Sequence, residues 1–421
     1  MKKLLSMLLT VVLSVCCFSG LALAEDKPVI TIWRETPTAA VKEYMESFHS
    51  DEFDVEFVYY GSEDLKNQVR IALASGEAAD IMAANTGVFL NEIMQGGYAL
   101  PLNSYIEQYG WDEVIEEEYL VNCSYDGNVY ALPMATQDTW GLMFYNADFF
   151  AENGLEISMY PTNAEVIELC GKIRELGKQP IAIGNVDLWP GVLLFGDYFV
   201  QKAGQELVDQ LVSGEVHWDE CDVVRECFEE LAQLGQSGAF TTGYEVQDHS
   251  AAIESFLNGT CAMMYMGTWW VSYVNGGMDG VDFKVGTVAS PRFDGVEMAG
   301  SAQLFANMGT FIYSGTKYPE YAAEYLNWYC SDECAAAQYE DTGSMTFSNR
   351  YNANLEINPQ FAESEAFMKS YEEAMKINYF DWHFATSVTD ALKVSIQKLF
   401  SGDITVDQAL ADVEAAAAEE R

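Results

Sequence analysis

Four tryptophans and four polar side chains hold most of the chemistry open to this sequence. Trp33 closes an expected strand, Trp189 and Trp382 sit in expected loops, and Trp269 follows Gly267 and Thr268. Flat rings in such places can stack on apolar C–H faces. Asn85, Gln137, Asp138 and Asn307 fall at or beside expected strand ends. They offer fixed donors and acceptors, and the Asp138 carboxylate makes the stronger, charge-assisted bonds. Rings for the faces and polar groups for a rim of hydroxyls suit reversible capture of a sugar-like molecule. Plainer readings stand beside these: Trp33 can cap a core and Asp138 can cap a turn. Trp270 points about 100° away from Trp269 if a helix begins there, so it is expected to pack. Trp111, Trp218 and Trp328 are assigned to structure.

Motifs for covalent chemistry are missing from the sequence. It contains no His-Glu-x-x-His, no Gly-x-Ser-x-Gly and no Gly-x-x-x-x-Gly-Lys-[Ser/Thr], which disfavours zinc peptidases, α/β-hydrolases and a P-loop nucleotide site. No catalytic residue, metal or cofactor is expected. The 65 acidic residues against 21 basic ones give a formal charge of −44, and a phosphate backbone is a poor partner for such a surface. With so many carboxylates, a pair roughly 5–10 Å apart, as glycoside hydrolysis needs, arises by chance. A secreted glycoside hydrolase therefore remains an alternative. So does a receptor for a polyamine, which aromatic rings and carboxylates would hold through cation–π contacts; an anionic solute would need Arg34 or Arg292. The cysteines from Cys123 to Cys334 number seven and are scattered, so at least one is free or pairs between molecules, and no disulfide framework is expected. Cys330 and Cys334 share a helix face, with no His nearby to complete a metal shell.

Elements that would position these side chains alternate along the chain. Val29 to Trp33 reads as a strand, then Val41, Tyr44, Met45 and Phe48 recur at helical spacing. Asp54 to Tyr60 is a second strand, Leu65, Val69, Ala72 and Leu73 mark a second helix, and Ala79 to Ala84 a third strand. Strand, helix, strand in this order predicts parallel βαβ units. The alternation continues with a helix at 89–94, strands at 129–133 and 141–145, a helix at 163–176 and a strand at 180–184. Helical stretches follow at 207–211 and 223–234. In open α/β sheets the ligand sits beyond the carboxyl ends of strands, which points to the loops after Trp33, Ala84, Met134 and Gly184.

Lys2 and Lys3 precede an apolar run from Leu4 to Val15, and Ala22-Leu23-Ala24 offers small residues for cleavage. This is the pattern of a secretory signal peptide, with the mature chain beginning at Glu25. Lipidation at Cys16 is the alternative to release. A chain of 421 residues exceeds what one core usually serves, so two lobes are expected.

Several segments together resemble the extracellular solute-binding proteins for carbohydrates, the maltose- and multiple-sugar-binding type. They are ASGEAADIMAAN (74–85), DGNVYALPMATQDTWGLMFYNADFFAENGLE (126–156), IESFLNGTCAMMYMGTWW (253–270), VGTVASPRFDG (285–295), KYPEYAAEYLNWYCSDECAAAQYEDTGSMTFSN (317–349) and SGDITVDQALADVEAA (401–416). The family's Pro-x-Thr-Trp appears as Pro161-Thr162-Asn163 without the Trp, and Trp269-Trp270 is doubled. The resemblance implies a two-lobed periplasmic-binding-protein-like fold of type II: two doubly wound α/β lobes joined by a hinge of several crossings. It implies an N-terminal lobe of 25–135 plus 289–345 and a C-terminal lobe of 136–288 plus 346–421. The segments 285–295 and 317–349 would carry the later crossings, and Trp269 would take the family's stacking position. The implied function is the substrate-binding subunit of an ABC importer, a monomer that captures a carbohydrate and docks on membrane permease subunits.

Overall fold

The computed structural model describes residues 27–37, 39–115, 117–133, 138–139, 142–267, 270, 280–296, 301–305, 308–342, 348–352, 375–377 and 379–421. The signal-peptide reading of 1–24 and the lipidation alternative at Cys16 lie outside the described residues. So do Gln137, Trp269 and Asn307.

Strand β1 (Val29–Glu35) alternates, with Ile30, Ile32 and Arg34 buried on one face and Thr31, Trp33 and Glu35 half-buried on the other. It pairs in parallel with β2 (Asp54–Tyr60) along its whole length and on its other side with β3 (Ile81–Asn85). Helices Ala39–Glu46 and Ser62–Ser75 supply the crossovers, so the expected βαβ units are present. The second helix buries Leu65, Val69, Ala72 and Leu73. It stops at Gly76, whose left-handed φ of 74° lets its N–H return to Ala72 O. Helix Val88–Gln95 follows β3.

A hairpin of β4 (Ser124–Tyr125) and β5 (Asn128–Val129) turns at Asp126-Gly127, both at positive φ, as an Asp-Gly hairpin turn requires. Next come β6 (Ala131–Pro133) and the short β7 (Asp138–Thr139). A second sheet is built from β8 (Leu142–Asn146), β9 (Gln179–Ala182), β10 (Cys261–Met266) and β11 (Val285–Ala289), in the order β11-β8-β10-β9. The chain then runs through β12 (Ser301–Phe305) to β13 (Met308–Ile312), which enters the first sheet between β3 and β6, antiparallel to both. Helices Pro319–Tyr329 and Asp332–Thr342 follow, then β14 (Met375–Ile377), the turn Phe380–His383 and helices Thr386–Ser401 and Val406–Glu420.

Two hydrophobic cores result. One draws its buried residues from Ile30 to Leu132 and from Met308 to Cys334. The other draws on Leu142 to Phe293 and on Tyr379 to Ala417. Among the described residues, three strands lie between the cores in sequence and pair with one another: β7 is antiparallel to β12, and β12 is parallel to β14. The later passages therefore differ from the expected ones. Val285–Ala289 is a strand of the second sheet, and β14 pairs with β12 beyond the helix pair that was expected to contain the last passage.

Two further expectations change. Trp33 does not end its strand, which continues to Glu35. Trp189 does not sit in a loop but begins helix Trp189–Phe199. That helix escaped periodicity because Pro190 to Phe199 are all buried, so no polar face marks its turns. Among the described residues no helix is long and apolar enough to cross a membrane.

Candidate functional site

The carboxyl end of β3 and the turn Phe380–His383 come from different cores and meet. Asn85 is the last residue of β3, half-buried and in register with Met308 of β13. Two residues on, Gly87 has φ 91° and ψ −144° and lies so close to Trp382 that a Cβ there would stand 2.5 Å from the Trp382 carbonyl oxygen. The structure thus brings Asn85 and Trp382, two of the expected ligand residues, to the same junction.

The second core holds the Trp382 turn through its flanking rings. Phe380 packs on Phe195 and Phe199 with centroids 5.0 and 4.5 Å apart, and Tyr379 meets the Trp382 ring edge-on at 4.7 Å. Below the turn, buried Asp381 stands 3.8 Å from buried Lys393, and its carbonyl accepts the Thr389 hydroxyl at 2.8 Å. Trp382 is only partly buried against this core.

Trp189 is anchored by local polar contacts. Gly184, just beyond β9, touches the main chain of Asp248 and His249 so closely that no side chain would fit. Asn185 is fully buried, accepts the Gly191 N–H at 2.8 Å and meets the Gln397 side chain. Leu188, at a φ of 66°, then turns the chain into the helix. The Trp189 ring lies 5.6 Å from His249. Burial pushes the His249 imidazole below its ordinary value, against the opposite pull of Asp248 and Asp187.

A buried hydrogen bond links the elements that carry the aromatics. Tyr265, near the end of β10, donates to Asp197 on helix Trp189–Phe199 at 2.6 Å, both side chains being buried. Burial first, then Asp197, Tyr379 and Tyr198 nearby, push the Tyr265 hydroxyl well above its ordinary value. Tyr379 in turn contacts Trp382.

The other expected site residues are more dispersed. Trp33 packs edge-on against Tyr60 at 5.5 Å. It stands opposite Met82, three residues short of Asn85, so it lies about 10 Å deeper along the sheet. Asp138 pairs with Phe305 through its backbone. Trp270 is buried against Phe144 and Phe256. Trp111 and Trp218 are fully buried, and Trp328 stacks on Tyr44. The basic candidates for an anionic ligand are engaged elsewhere. Arg34 is buried on the face of β1 opposite Trp33 with its guanidinium against Met45, and Arg292 donates to the carbonyls of Tyr160 and Val296.

Sequence reasoning missed Gly87, His249 and the Asp197–Tyr265 pair. Only Gly87 had a local signal, as a glycine between a strand and a helix. All seven cysteines from Cys123 to Cys334 are buried with free thiols. One group of metal-ligating types, His217, Asp219 and Glu414, clusters at the surface. Glu414 there already accepts from the Trp218 N–H, faces His217 and pairs with Arg421, so the group reads as a clasp on the C-terminal helix.

Residues 32–335 match the family of bacterial extracellular solute-binding proteins. An uncharacterized ABC transporter extracellular-binding protein of Pyrococcus horikoshii is 26% identical over 59% of this chain and 57% of its own length. The chain thus spans little more than half the length of that relative. Among solved structures, a chitin oligosaccharide binding protein superposes with a TM-score of 0.81 at 19% identity, covering 93% of this chain and 98% of its own. A structure solved in connection with xylan utilization by Caldanaerobius polysaccharolyticus gives 0.80 at 19% identity, covering 92% and 99%. These likenesses establish the two-lobed α/β solute-binding fold. With the family match extending over most of the chain, the protein belongs to the bacterial extracellular solute-binding proteins.

Proposed function

We propose that the protein is the extracellular substrate-binding subunit of an ABC importer, which captures a sugar or oligosaccharide between two lobes and hands it unchanged to the permease. The observation that carries this reading is the close approach of Gly87, two residues beyond Asn85 and next to the first core, to Trp382, which packs on the second. A ligand held there touches both bodies and favours their closed arrangement by its differential affinity. The lobes are proposed to follow the two cores, 30–132 plus 308–334 and 142–293 plus 379–417, in place of the sequence boundaries at 288/289 and 345/346, with β7, β12 and β14 as the hinge. Trp33, Asn85, Gln137, Asp138, Trp189, Trp269, Asn307 and Trp382 are the proposed ligand residues, and the working form is a monomer. The solved relative that binds chitin oligosaccharides supports the sugar class, and the binding character of the family supports capture without turnover.

A micromolar ligand needs about 8 kcal/mol, within reach of a few stacked rings and hydroxyl pairs. At a hundred times Kd such a ligand adds about 2.7 kcal/mol of stability. The test is a thermal-shift panel of chito-, xylo- and malto-oligosaccharides, spermidine and a sugar phosphate, with each sugar analysed afterwards for cleavage. A shift with a neutral sugar recovered intact is expected. Shifts with spermidine or the phosphate alone defeat the sugar class, and cleavage products defeat the receptor.

A further inference from the structure

We propose that Gly87 is a positioning residue of this cleft: by carrying no side chain it lets the Trp382 turn seat against the end of β3, and so sets how far the jaws close on a ligand. The proposal rests on the closing-receptor reading above. Gly87 opens helix Val88–Gln95 from φ 91° and ψ −144°, a backbone region that side chains avoid. A Cβ there would stand 2.5 Å from the Trp382 carbonyl oxygen, 3.0 Å from its Cβ and 3.2 Å from its carbonyl carbon. Restoring ordinary contact requires a retreat of roughly 1 Å by main chain, which has no rotamer to change. Gly87 adjoins the first core and Trp382 the second, so the retreat opens the junction between them.

A second contact joins the same two regions. Arg70, on helix Ser62–Ser75, reaches Thr386 at the start of helix Thr386–Ser401, with Nη2 3.4 Å from the hydroxyl. Glu92 holds the guanidinium at 3.2 Å, and the Phe89 ring lies beneath it at 4.9 Å. Both of these belong to the helix that Gly87 opens. Arg70 therefore ties that helix to the segment just after Trp382, and the glycine and the arginine act on one junction.

The test uses the full mature protein and whichever chito-, xylo- or malto-oligosaccharide shifts the wild type most. Titration calorimetry and small-angle scattering, with and without the sugar, compare wild type, Gly87→Ala, Gly87→Leu and Arg70→Ala, with thermal unfolding of each ligand-free protein alongside. The expected result is roughly tenfold weaker binding for Gly87→Ala, a larger loss for Gly87→Leu, and a ligand-bound radius of gyration that grows in the same order. Arg70→Ala, on an exposed helix face, should lose about two- to threefold with little change in unfolding. Backbone strain alone would lower the unfolding temperature of both Gly87 variants alike, without grading affinity by side-chain size. Equal losses in the two Gly87 variants, or binding and contraction like wild type in all three, overturns the proposal. Absence of sugar binding by the wild type removes the receptor reading instead, and the proposal falls with it.

Discussion

Replacing Asp197 by alanine should destabilise the protein by about 2–3 kcal/mol, and part of that loss should be shared with Tyr265. The Tyr265 hydroxyl donates to Asp197 at 2.6 Å in a buried site. A hydrogen bond to a charged group contributes about 1.5–3 kcal/mol, and a buried hydroxyl left without its acceptor costs about 1–3 kcal/mol. Asp197→Ala takes this acceptor from the hydroxyl, and Tyr265→Phe takes this donor from the carboxyl group. For a unit of about 150–250 residues, 1 kcal/mol moves Tm by about 2–4 °C, so either variant should drop by roughly 5–10 °C. Each single variant already loses the one shared bond, so the double variant should fall short of the summed losses by about 1–2 kcal/mol. Urea unfolding followed by tryptophan fluorescence measures all four corners of the cycle. Strictly additive losses, or a fall of less than about 1 °C in both single variants, would show that the bond does not hold the helix to the strand. Beyond stability, the bond joins helix Trp189–Phe199 to β10, so both single variants should also weaken sugar binding.

Other consequences follow from burial and charge. Burial pushes the thiols of Cys123, Cys170 and Cys334 up to about 12 and that of Cys261 to about 11, and holds the Tyr198 and Tyr325 hydroxyls well above their ordinary values. The folded state keeps these protons where the unfolded chain releases them, so stability is intact below about pH 9 and falls as pH rises beyond it; denaturant titrations from neutral to strongly alkaline pH should trace that fall. His249 is held below its ordinary value by burial, so its contribution is present above about pH 6.5 and lost on acidification. The His249→Gln variant should flatten that acid limb, measured by unfolding at neutral and mildly acidic pH. A net charge of −44 repels itself, so Tm should rise as sodium chloride shortens the screening length; a Tm insensitive to salt would contradict this.

The first sheet was legible because its signals are local. Val29 to Glu35 and Asp54 to Tyr60 carry β-branched and aromatic runs, and the helix between β2 and β3 places Leu65, Val69, Ala72 and Leu73 on one face. Helix Trp189–Phe199 was not legible, since burial on every side erases the polar stripe that reveals a helix. The passages between cores were only partly readable. Strands β7 and β14 have two and three residues, too few to show a period, and they exist by pairing with β12 across long stretches of chain. The same limit applies to the site. Asn85 and Trp382 were singled out separately from strand-end and loop placement, but nothing in either segment announces that Gly87 and Trp382 touch. The Asp197–Tyr265 bond spans 68 residues and lies in apolar surroundings, where neither residue type signals its partner.

Capture of a sugar at this junction is tested most directly by a crystal structure of the mature protein with the oligosaccharide that shifts its unfolding most. An intact sugar is expected between the end of β3 and the turn Phe380–His383, one ring stacked on Trp382 and a hydroxyl hydrogen-bonded to Asn85, with Gly87 still against the Trp382 carbonyl. A sugar bound away from this junction, or found cleaved within it, would contradict the claim that the protein captures its solute here and releases it unchanged.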